Sequence, residues 1–479
     1  MTVSPEEHAR VIAELGEAKT RIEQLETQLA TLAAAMEKLQ EKVTKNSSNS
    51  NLPPSSDGPG AASRGERKPK KPKSERKRGG QKGHRGSHRQ LLPPEQVDEV
   101  IHIYPEACEA CARPLPEVAD PDAKRYQQVE LLVGGGRRVT QWCRHGIECT
   151  CGHITRAAYD PKKVPASAFG PHLTSVVATL TGVYHLSRRN TKMLFHEVFG
   201  IDMSIGAISQ MEARVSKSLK RPSDEAHADV LAALVKHTDA TTWLMAGVTM
   251  SLWTLCTLST TVFRIFVDGA RATIESMFAD KDGKQHGIMV SDRASVFGFW
   301  LMAMRQVCWA HLLRLFVGFS QRAGPTGRFG RELLDHAKLV FEYWQGFTSG
   351  KLSREELQCW MEPVQRRFEA LLRRIVAANI RGLSGSCANL LAHAEALWTF
   401  VRVPGVEPTN NLAERDLRSF VIWRRLCYGC QSERGLRFVE RVMTVAMTLR
   451  KRGKGVLEYI TRCVRADLAG RQTPALPAA

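Results

Sequence analysis

The feature that most constrains the fold is a change from helical to strand-like periodicity after Leu234. Three runs rich in β-branched and aromatic residues follow one another: LVKHTDATTWLMAG, VTMSLWTLCTL and TTVFRIFVD. A helix-like stretch at 270–279 then precedes a fourth short run, HGIMVSDR. Since such runs favour strands, this order predicts three antiparallel strands, a crossover helix and a fourth strand parallel to the first.

Two aspartates lie in these apolar runs. Asp239 is in the middle of the first run, and Asp292 lies near the end of the fourth. A carboxylate inside an apolar strand is unfavourable unless something pairs with it. The order of elements is that of an RNase H-like core, in which the first and fourth strands lie side by side, so we expect the two aspartates to meet. Because adjacent carboxylates repel each other, the pair predicts a bound divalent cation.

The same region offers one alternative, a membrane span. Residues 241–263 include no charged side chain, and these 23 residues are enough to cross a bilayer. Nine of them are Thr or Ser, however, and β-branched and aromatic residues recur along the stretch. The pattern therefore favours buried antiparallel strands, and we expect no membrane partner.

A third carboxylate, Glu414, lies among several cations in the stretch PTNNLAERDLR. One interpretation is a surface helix, with Asn410 or Asn411 as its N-cap and an i,i+4 ion pair between Glu414 and Arg418. The other is that Glu414 completes an oxygen-rich metal site with the two aspartates. The local sequence alone leaves both interpretations open.

Three carboxylates at one point would suit phosphoryl transfer. Two Mg²⁺ or Mn²⁺ ions about 4 Å apart can activate the attacking oxygen and neutralise the leaving oxygen of an in-line displacement. Asp416 is a rival to Glu414, but it lies two positions further on and therefore on another face of the helix. The candidate catalytic residues and magnesium ligands are Asp239, Asp292 and Glu414.

Residues 1–45 carry a heptad repeat. Apolar residues recur at steps of four and three from Val11 to Val43, with Glu, Lys and Gln on the other faces. This pattern is typical of a coiled coil and predicts a homo-oligomer. A long amphipathic helix that packs on its own domain is the alternative.

The positive charge of the chain is concentrated in one segment. Lys and Arg number 68 against 49 Asp and Glu, which gives a net charge of +19. Residues 46–95 form a basic arm rich in Pro, Gly and Ser, and 64–89 alone contain 12 Lys or Arg against two Glu. Because the arm lacks the periodicity of a membrane-surface helix, it favours contact with nucleic-acid phosphates. Its candidate DNA-binding residues are Lys70, Lys71, Arg76, Lys77 and Arg78.

The chain has twelve cysteines, and its N-terminus runs straight into charged heptads without the apolar core of a signal peptide. We therefore expect a cytoplasmic protein whose thiols are reduced or bind metal. Cys427 and Cys430, a C-x-x-C pair, are interpreted as packing thiols.

Residues 96–165 contain two short cysteine pairs, in CEACARPLP and in RHGIECTCGHITR. Four thiolates from two such turns can close a tetrahedral zinc site, which would be structural because no position is left open for a substrate. Three other residues are rival ligands, namely Cys143, His145 and His153, and unligated packing cysteines are the alternative. The predicted zinc ligands are Cys108, Cys111, Cys149 and Cys151.

Residues 166–230 have the outline of a helix-turn-helix. An apolar-periodic helix is broken by Gly200, and Ser204 can cap a second helix. Arg188 and Arg189 are candidate DNA contacts. Helical hairpins are common and most bind no DNA, so a purely structural hairpin stays open as an alternative.

Several longer motifs carry a resemblance to a known family: KNSSNSNLPPSSD, GGQKGHRG, HTDATTW, VSDRASVFGF, CWAHLLRLF and GVEPTNNLAERDLRSFVIWRRLCYGCQSERGLRFVERVMTVAMTLRKRG. With them the chain resembles transposases of the insertion-sequence-66 family, a bacterial group with a DDE triad on an RNase H-like fold. The resemblance implies that Asp239, Asp292 and Glu414 are this triad. It also implies a structural C-x-x-H, Cys308 and His311, after a fifth strand.

The resemblance also accounts for the spacing of the carboxylates. Asp239 and Asp292 are 53 positions apart (292 − 239), whereas Glu414 follows Asp292 by 122 (414 − 292). The excess predicts a helical insertion in the core. The expected fold class is α+β and multidomain, with an N-terminal coiled coil, a zinc module, a helical DNA-binding region and an RNase H-like α/β core. The expected bounds are 231–318 and 402–425 for this core, 319–401 for the insertion, and 426–479 for a C-terminal helical segment and tail.

The function that the resemblance implies is DNA transposition. Such an enzyme would bind double-stranded DNA at the element ends, cleave to free a 3′ end and transfer that end into target DNA in the bacterial nucleoid. Arg415 and Arg418 would lie beside phosphates, and small accessory proteins of the same element are candidate partners. Ala240 stands where the family usually has Glu. Two alternatives therefore stay open: a DNA-binding protein with a decayed core, and an RNase H-like nuclease without strand transfer.

Overall fold

The computed structural model describes residues 16, 19–32, 36, 90–158, 160, 164–165, 167–279 and 283–479. They fall into two compact units. One comprises 309–394 with the described part of 1–69, and the other comprises the described parts of 70–308 and 395–479. Helices occur together with three sheets in the described residues, which confirms the α+β class.

The strands are β1 (Glu99–Ile103), β2 (Lys124–Leu131), β3 (Arg137–Arg144), β4 (Gly146–Glu148), β5 (Ile154–Arg156), β6 (Val235–Met245), β7 (Val248–Cys256), β8 (Thr261–Phe266), β9 (Ile288–Ser291) and β10 (Arg305–Val307). The helices of the larger unit that precede the smaller unit in sequence are α1 (Pro171–Gly182), α2 (Arg188–Phe199), α3 (Ile205–Ser218), α4 (Lys220–Ala232) and α5 (Arg271–Phe278). The smaller unit contains α6 (Trp309–Ser320), α7 (Gly324–Thr348), α8 (Arg354–Ala377) and α9 (Ser384–Ala392). The remaining helices are α10 (Ala394–Leu397), α11 (Thr399–Arg402), α12 (Asn411–Cys427), α13 (Glu433–Lys451) and α14 (Val456–Leu468).

Residues 19–32 of the predicted coiled coil are helical. Their apolar heptad side chains are exposed, from 50% for Leu25 to 74% for Leu29. The described part of this helix therefore does not bury its apolar stripe within the chain. The other heptad positions before Gly16, and the arm residues Lys70, Lys71, Arg76, Lys77 and Arg78, lie outside the described residues.

A small sheet in the order β1-β3-β2 and the hairpin β4-β5 make up the cysteine-containing region. The sheet packs on the helices that follow it, because Val129 and Val139 share a buried cluster with Leu173, Phe195 and Ile208. The predicted break and cap between α2 and α3 are confirmed. Gly200 ends α2 in a left-handed conformation (φ 58°), and the Ser204 hydroxyl accepts the N–H of Ala207 at 3.0 Å.

The five-stranded sheet has the order β10-β9-β6-β7-β8. Strands β6, β7 and β8 are antiparallel neighbours, and β9 pairs with β6 in parallel, as the sequence predicts. The residues between β6 and β7, Ala246 and Gly247, both have positive φ (49° and 82°), as a two-residue type I′ turn requires. The uncharged stretch 241–263 thus forms strands. Among the described helices, none combines the length and apolarity needed to cross a bilayer.

Helix α13 covers the edge strand β8 with its side chains. The hydroxyls of Thr448 and Thr444 accept the N–H groups of Thr261 (3.1 Å) and Phe263 (3.0 Å). The Glu440 carboxylate accepts the N–H of Ile265 at 2.5 Å. These acceptors are four residues apart on the helix and meet every second residue of the strand, so the edge leaves no template for another strand along this stretch.

A buried ion pair joins α12 to α13. The Lys451 Nζ lies 2.6 Å from a carboxylate oxygen of Asp416, and the side chains are only 13% and 4% exposed. The same oxygen accepts the Thr261 hydroxyl at 2.7 Å. Asp416 therefore lies in the interior between the two helices and β8.

The smaller unit is mainly helical in its described residues. Helix α8 begins with a capping box formed by Ser353 and Glu356. Its Phe368 ring lies 5.4 Å from Trp309 and 6.1 Å from Phe316 between ring centroids, so α6 and α8 share an aromatic core. His311 lies on α6.

We predict that Asp416→Ala lowers the free energy of unfolding by about 3–5 kcal/mol, because the Lys451 ammonium is left buried without its charged partner. Asp224→Ala is the matched control. It removes an exposed ion pair of similar length with Lys220 (2.8 Å) and should cost less than about 1 kcal/mol. Urea denaturation of the full chain, followed by circular dichroism, measures both, and equal effects would contradict the prediction.

Candidate active site and metal centre

The parallel pairing of β6 and β9 determines where the two aspartates lie. Val235, Lys236 and His237 are opposite Ile288, Met289 and Val290 in turn. Continuing this register by two residues brings Asp239 opposite Asp292, one residue beyond the end of β9. Both side chains are partly exposed. The neighbouring strand β10 supports this end of the sheet, since the Cys308 N–H donates to the Ser291 carbonyl at 2.9 Å.

Backbone groups hold the Asp292 carboxylate. The N–H of Ala294 donates to its Oδ1 at 2.9 Å. The buried Arg305 guanidinium donates to the backbone carbonyl of Asp292 at 3.2 Å rather than to the carboxylate. Burial raises the pKa of Asp292, although the Ala294 N–H and the charge of Arg305 oppose that shift. A cation beside this carboxylate would therefore relieve an unfavourable charge.

Glu414 lies in the first turn of α12, and Asn410 anchors that turn to the sheet. The Asn410 Nδ2 donates to the carbonyl of Thr238, the residue before Asp239, at 2.7 Å. Its Oδ1 lies 3.3 Å from Nδ1 of His237. One helical turn later, the N–H of Glu414 donates to the Asn410 carbonyl at 3.2 Å.

Asn410 is the residue whose role sequence reasoning missed. It stands at the N-cap position as predicted, but its side chain makes no capping bond and reaches the strand instead. Asparagine before a helix normally indicates a cap, so no local signal distinguishes the two roles. Asn410 is fully buried, and its backbone N–H donates to the Cys308 sulfur at 3.1 Å. That sulfur lies within 4.8 Å of a carboxylate oxygen of Glu414.

The imidazole beside this anchor is neutral. Burial lowers the pKa of His237 to about 4, with the Asn410 contact acting in the opposite direction. With Nδ1 protonated, the ring donates to the Asn410 Oδ1. The Asn410 contacts that position the turn of Glu414 therefore involve no charged side chain.

Helix α12 is fastened along the whole of β6. The Arg424 guanidinium donates to the hydroxyl of Thr241 at 3.2 Å, half-way along the strand. At the far end, the Cys430 N–H donates to the Leu244 carbonyl at 2.8 Å. Gly429 has φ 84°, and a Cβ there would lie 2.1 Å from the same carbonyl, so this close approach requires glycine.

Some of the remaining predicted residues are exposed, and others are engaged in ion pairs. Arg415 and Arg418 lie on the exposed side of α12, and Asp416, the rival to Glu414, is engaged in the interior. Arg189 is exposed, whereas the Arg188 Nε donates to the Glu212 carboxylate at 2.9 Å.

The comparisons with known proteins bear on this geometry. The model of a family described as Transposase IS66 family matches residues 166–437, more than half of the 479 residues and all three candidate carboxylates. The chain belongs to this family. A second model, described as a family of unknown function (DUF6444), matches residues 4–90. No curated protein matches the chain.

This IS66 family transposase also contains a four-cysteine cluster. The sulfurs of the predicted set Cys108, Cys111, Cys149 and Cys151 all lie within 4.8 Å of one another. Two sulfur–sulfur distances are 3.6 Å, Cys108 to Cys151 and Cys111 to Cys149. A tetrahedron with Zn–S bonds of about 2.3 Å has edges of about 3.8 Å, whereas a disulfide is about 2.05 Å long. The cluster is therefore compatible with a structural zinc ion.

Two turns of the IS66 family transposase present these sulfurs. The Ala112 N–H donates to the Cys108 carbonyl at 2.8 Å, and the Gly152 N–H donates to the Cys149 carbonyl at 2.8 Å. Burial acts to raise the pKa of Cys108, but the N–H groups of Cys111 and Ala110 outweigh it and lower the pKa to about 6. One thiolate is therefore available near neutral pH without metal.

The rival ligands have other partners. The Cys143 sulfur accepts the amide of Gln141 at 3.4 Å. The His145 Nδ1 accepts the N–H of Asp120 at 2.9 Å, and its Nε2 lies 2.7 Å from His102 Nδ1. His153 is exposed and lies 3.9 Å from Glu109.

We predict one zinc ion per chain in the purified transposase, measured by inductively coupled plasma mass spectrometry. Cys149→Ser should lose most of the metal, because a hydroxyl is a poor ligand beside three thiolates. Cys359→Ser is the matched control, since this cysteine is exposed and lies in the smaller unit. A metal content that falls equally in both variants, or is zero in the wild-type chain, would contradict the prediction.

Proposed function

We propose that the protein is a DNA transposase that binds the ends of an insertion sequence, frees a 3′ end by metal-dependent cleavage and transfers it into target DNA. The catalytic residues are Asp239, Asp292 and Glu414. The observation that carries this proposal is the parallel register of β6 and β9 beside a helix whose first turn is anchored at residue 238. The strand order, with three antiparallel strands followed by two parallel ones, supports an RNase H-like core.

The residues present fit a pair of hard divalent cations. Carboxylate oxygens are the ligands that Mg²⁺ and Mn²⁺ prefer, and Asp292 lies in surroundings that disfavour its charge when no cation is near. Asp239, Asp292 and Glu414 would hold the ions. Two bound Mg²⁺ ions would supply an activated oxygen nucleophile and neutralise the leaving oxygen.

The side chains around the carboxylates have two roles: they position Glu414 and they bind DNA phosphates. Asn410 fixes the first turn of α12 on β6, so Glu414 keeps its place through both chemical steps. Arg415 and Arg418 contact the phosphates that flank the cleaved bond, and the basic arm adds contacts that do not depend on sequence.

Two further parts of the chain serve its assembly and its stability. The exposed apolar stripe at Ile22, Leu25, Leu29 and Leu32 supports a coiled coil between copies, which would bring two element ends together. The four-cysteine cluster holds a structural zinc ion that stabilises its small module. Accessory proteins of the same element are further candidate partners.

We predict that Glu414→Gln abolishes 3′-end cleavage and strand transfer, by about a thousandfold or more, while DNA affinity stays within about twofold. The amide keeps the shape of the side chain but removes a charge that holds the cations, whose stabilisation of the transition state amounts to several kcal/mol. The measurement uses labelled duplexes of the element ends with Mg²⁺ and gel analysis of cleaved and joined products.

Glu407→Gln is the matched control, because Glu407 is an exposed carboxylate in the loop before α12. Cleavage that survives in Glu414→Gln would refute the assignment of this residue. Binding without cleavage by the wild-type chain would indicate a decayed core, and cleavage without joined products would indicate a nuclease.

A second prediction concerns pH. Because burial raises the pKa of Asp292, its contribution to stability is complete below the unfolded value of about 3.9 and is lost as the pH rises through the folded value. Bound Mg²⁺ favours the carboxylate and opposes this loss. The increase in Tm on adding Mg²⁺ should therefore grow as the pH rises above about 4 and level off once Asp292 is ionised.

Differential scanning fluorimetry across this pH range measures the effect. Asp292→Asn should remove most of it, whereas Asp268→Asn, which alters an exposed turn carboxylate, should leave it unchanged. An Mg²⁺-induced shift that is independent of pH would count against Asp292 as a ligand.

A further inference from the structure

In a conventional helix-turn-helix the second helix reads DNA. Here the second helix, α3, is used for packing. Its residues Ile208, Met211, Val215 and Ser218 are buried, and Met211 and Val215 lie in two different core clusters. The exposed positions of α3 past its first turn are Gln210 and Lys217, and the Lys217 ammonium lies 3.0 Å from Asp467 on α14. The exposed residues of its first turn, Ile205 and Gly206, carry no side-chain donor or acceptor, so this helix presents little that could form a hydrogen bond with a base.

The first helix, α2, has the opposite character. Only Thr191 and Phe195 are buried along its twelve residues. Its exposed residues include the cations Arg189 and Lys192, the amide of Asn190, the apolar Met193 and Val198, and the carboxylate of Glu197. Met193 is 56% exposed and Val198 is 62% exposed.

An ion pair sets the position of α2 on α3. The Arg188 guanidinium binds the carboxylate of Glu212 through Nε at 2.9 Å, and the Glu212 side chain is only 6% exposed. The buried carboxylate of α3 thus fixes the first turn of α2. In this hairpin α3 acts as the scaffold and α2 as the presented element.

We infer that α2 is the helix that enters the major groove and reads the base sequence of the element end. The major groove is about 12 Å wide, which is wide enough to admit an α-helix. The twelve residues of α2 form a helix about 18 Å long. Arginine and lysine bind guanine edges, asparagine binds adenine, and an apolar side chain such as Met193 or Val198 contacts the thymine methyl. This inference rests on the proposed function and adds to it the element that supplies sequence specificity.

The position of α2 relative to α12 also supports DNA of the element end as the ligand of α2. His185, in the loop before α2, stacks on Trp423 of α12 with ring centroids 4.4 Å apart. Arg434, in the first turn of α13, donates to the hydroxyl of Ser209 on α3 at 2.8 Å. The hairpin is therefore in contact with α12, the helix that carries Glu414, and with α13.

The test compares two surface variants of the full chain. One is Arg189→Ala/Asn190→Ala/Lys192→Ala on α2, and its matched control is Gln210→Ala/Lys217→Ala on α3. The probes are a duplex of the element's own terminal inverted repeat and a scrambled duplex of the same composition, at one fixed salt concentration. Fluorescence anisotropy gives the ratio of the two Kd values.

The α2 variant should reduce this specificity ratio by about tenfold or more, and the α3 variant should change it by less than about twofold. Cleavage of the element end by the wild-type chain is measured in parallel, as a test of the proposed function alone. The inference is overturned if the α3 variant loses the ratio while the α2 variant keeps it, or if neither changes it. If the inference fails in either way while the wild-type chain cleaves the element end, the proposed function still stands. If the wild-type chain does not cleave but the α2 variant alone loses the specificity ratio, the proposed function is refuted and the assignment of α2 is not.

Discussion

One buried amide determines how the candidate site is arranged. Asn410 satisfies the carbonyl of Thr238 and contacts His237 with its side chain, and its backbone reaches Cys308. Three segments at least 70 residues apart in sequence thus meet at one residue. Removing the amide would leave a buried carbonyl without its donor, at a cost of about 1–3 kcal/mol, and would release the first turn of the helix that carries Glu414. The positions of the carboxylates follow from this contact and from the parallel register of β6 and β9.

Successive residues of helix α12 face different surroundings because of the helical period. Leu417 and Phe420 enter the main core, Asp416 binds Lys451 and Thr261, and the arginines at 415 and 418 remain at the surface. The fastening to β6 at both ends prevents the helix from rotating, so each residue keeps its own surroundings. Carboxylates two positions apart therefore differ in surroundings: Asp416 stabilises the fold, and Glu414 has a carboxylate oxygen within 4.8 Å of the Cys308 sulfur.

Much of this could be predicted from the sequence where the signal was local. The strand runs after Leu234, the break at Gly200, the cap at Ser204 and the grouping of four cysteines all depend on periodicity, turn chemistry or short spacing. The contacts that sequence reasoning missed join distant segments. The β8 edge is satisfied by Glu440, Thr444 and Thr448, which read locally as ordinary positions of an amphipathic helix. The sequence likewise predicted an N-cap role for Asn410, because residue type does not specify a partner 172 positions away. The assignment of the three carboxylates to catalysis remains a prediction.

The chemistry of the anchors suits the proposed cation site. Near the carboxylates, positions are fixed by a neutral amide, a neutral imidazole and backbone N–H groups, and the buried Arg305 donates to a backbone carbonyl instead of the Asp292 carboxylate. A guanidinium bound directly to the Asp292 carboxylate would hold it equally well, but it would cancel the charge that a divalent ion needs. The backbone N–H of Ala294 holds this carboxylate instead and preserves its negative potential. The arginines at 415 and 418 lie on the outer surface of α12, where under the proposed function they would meet phosphates.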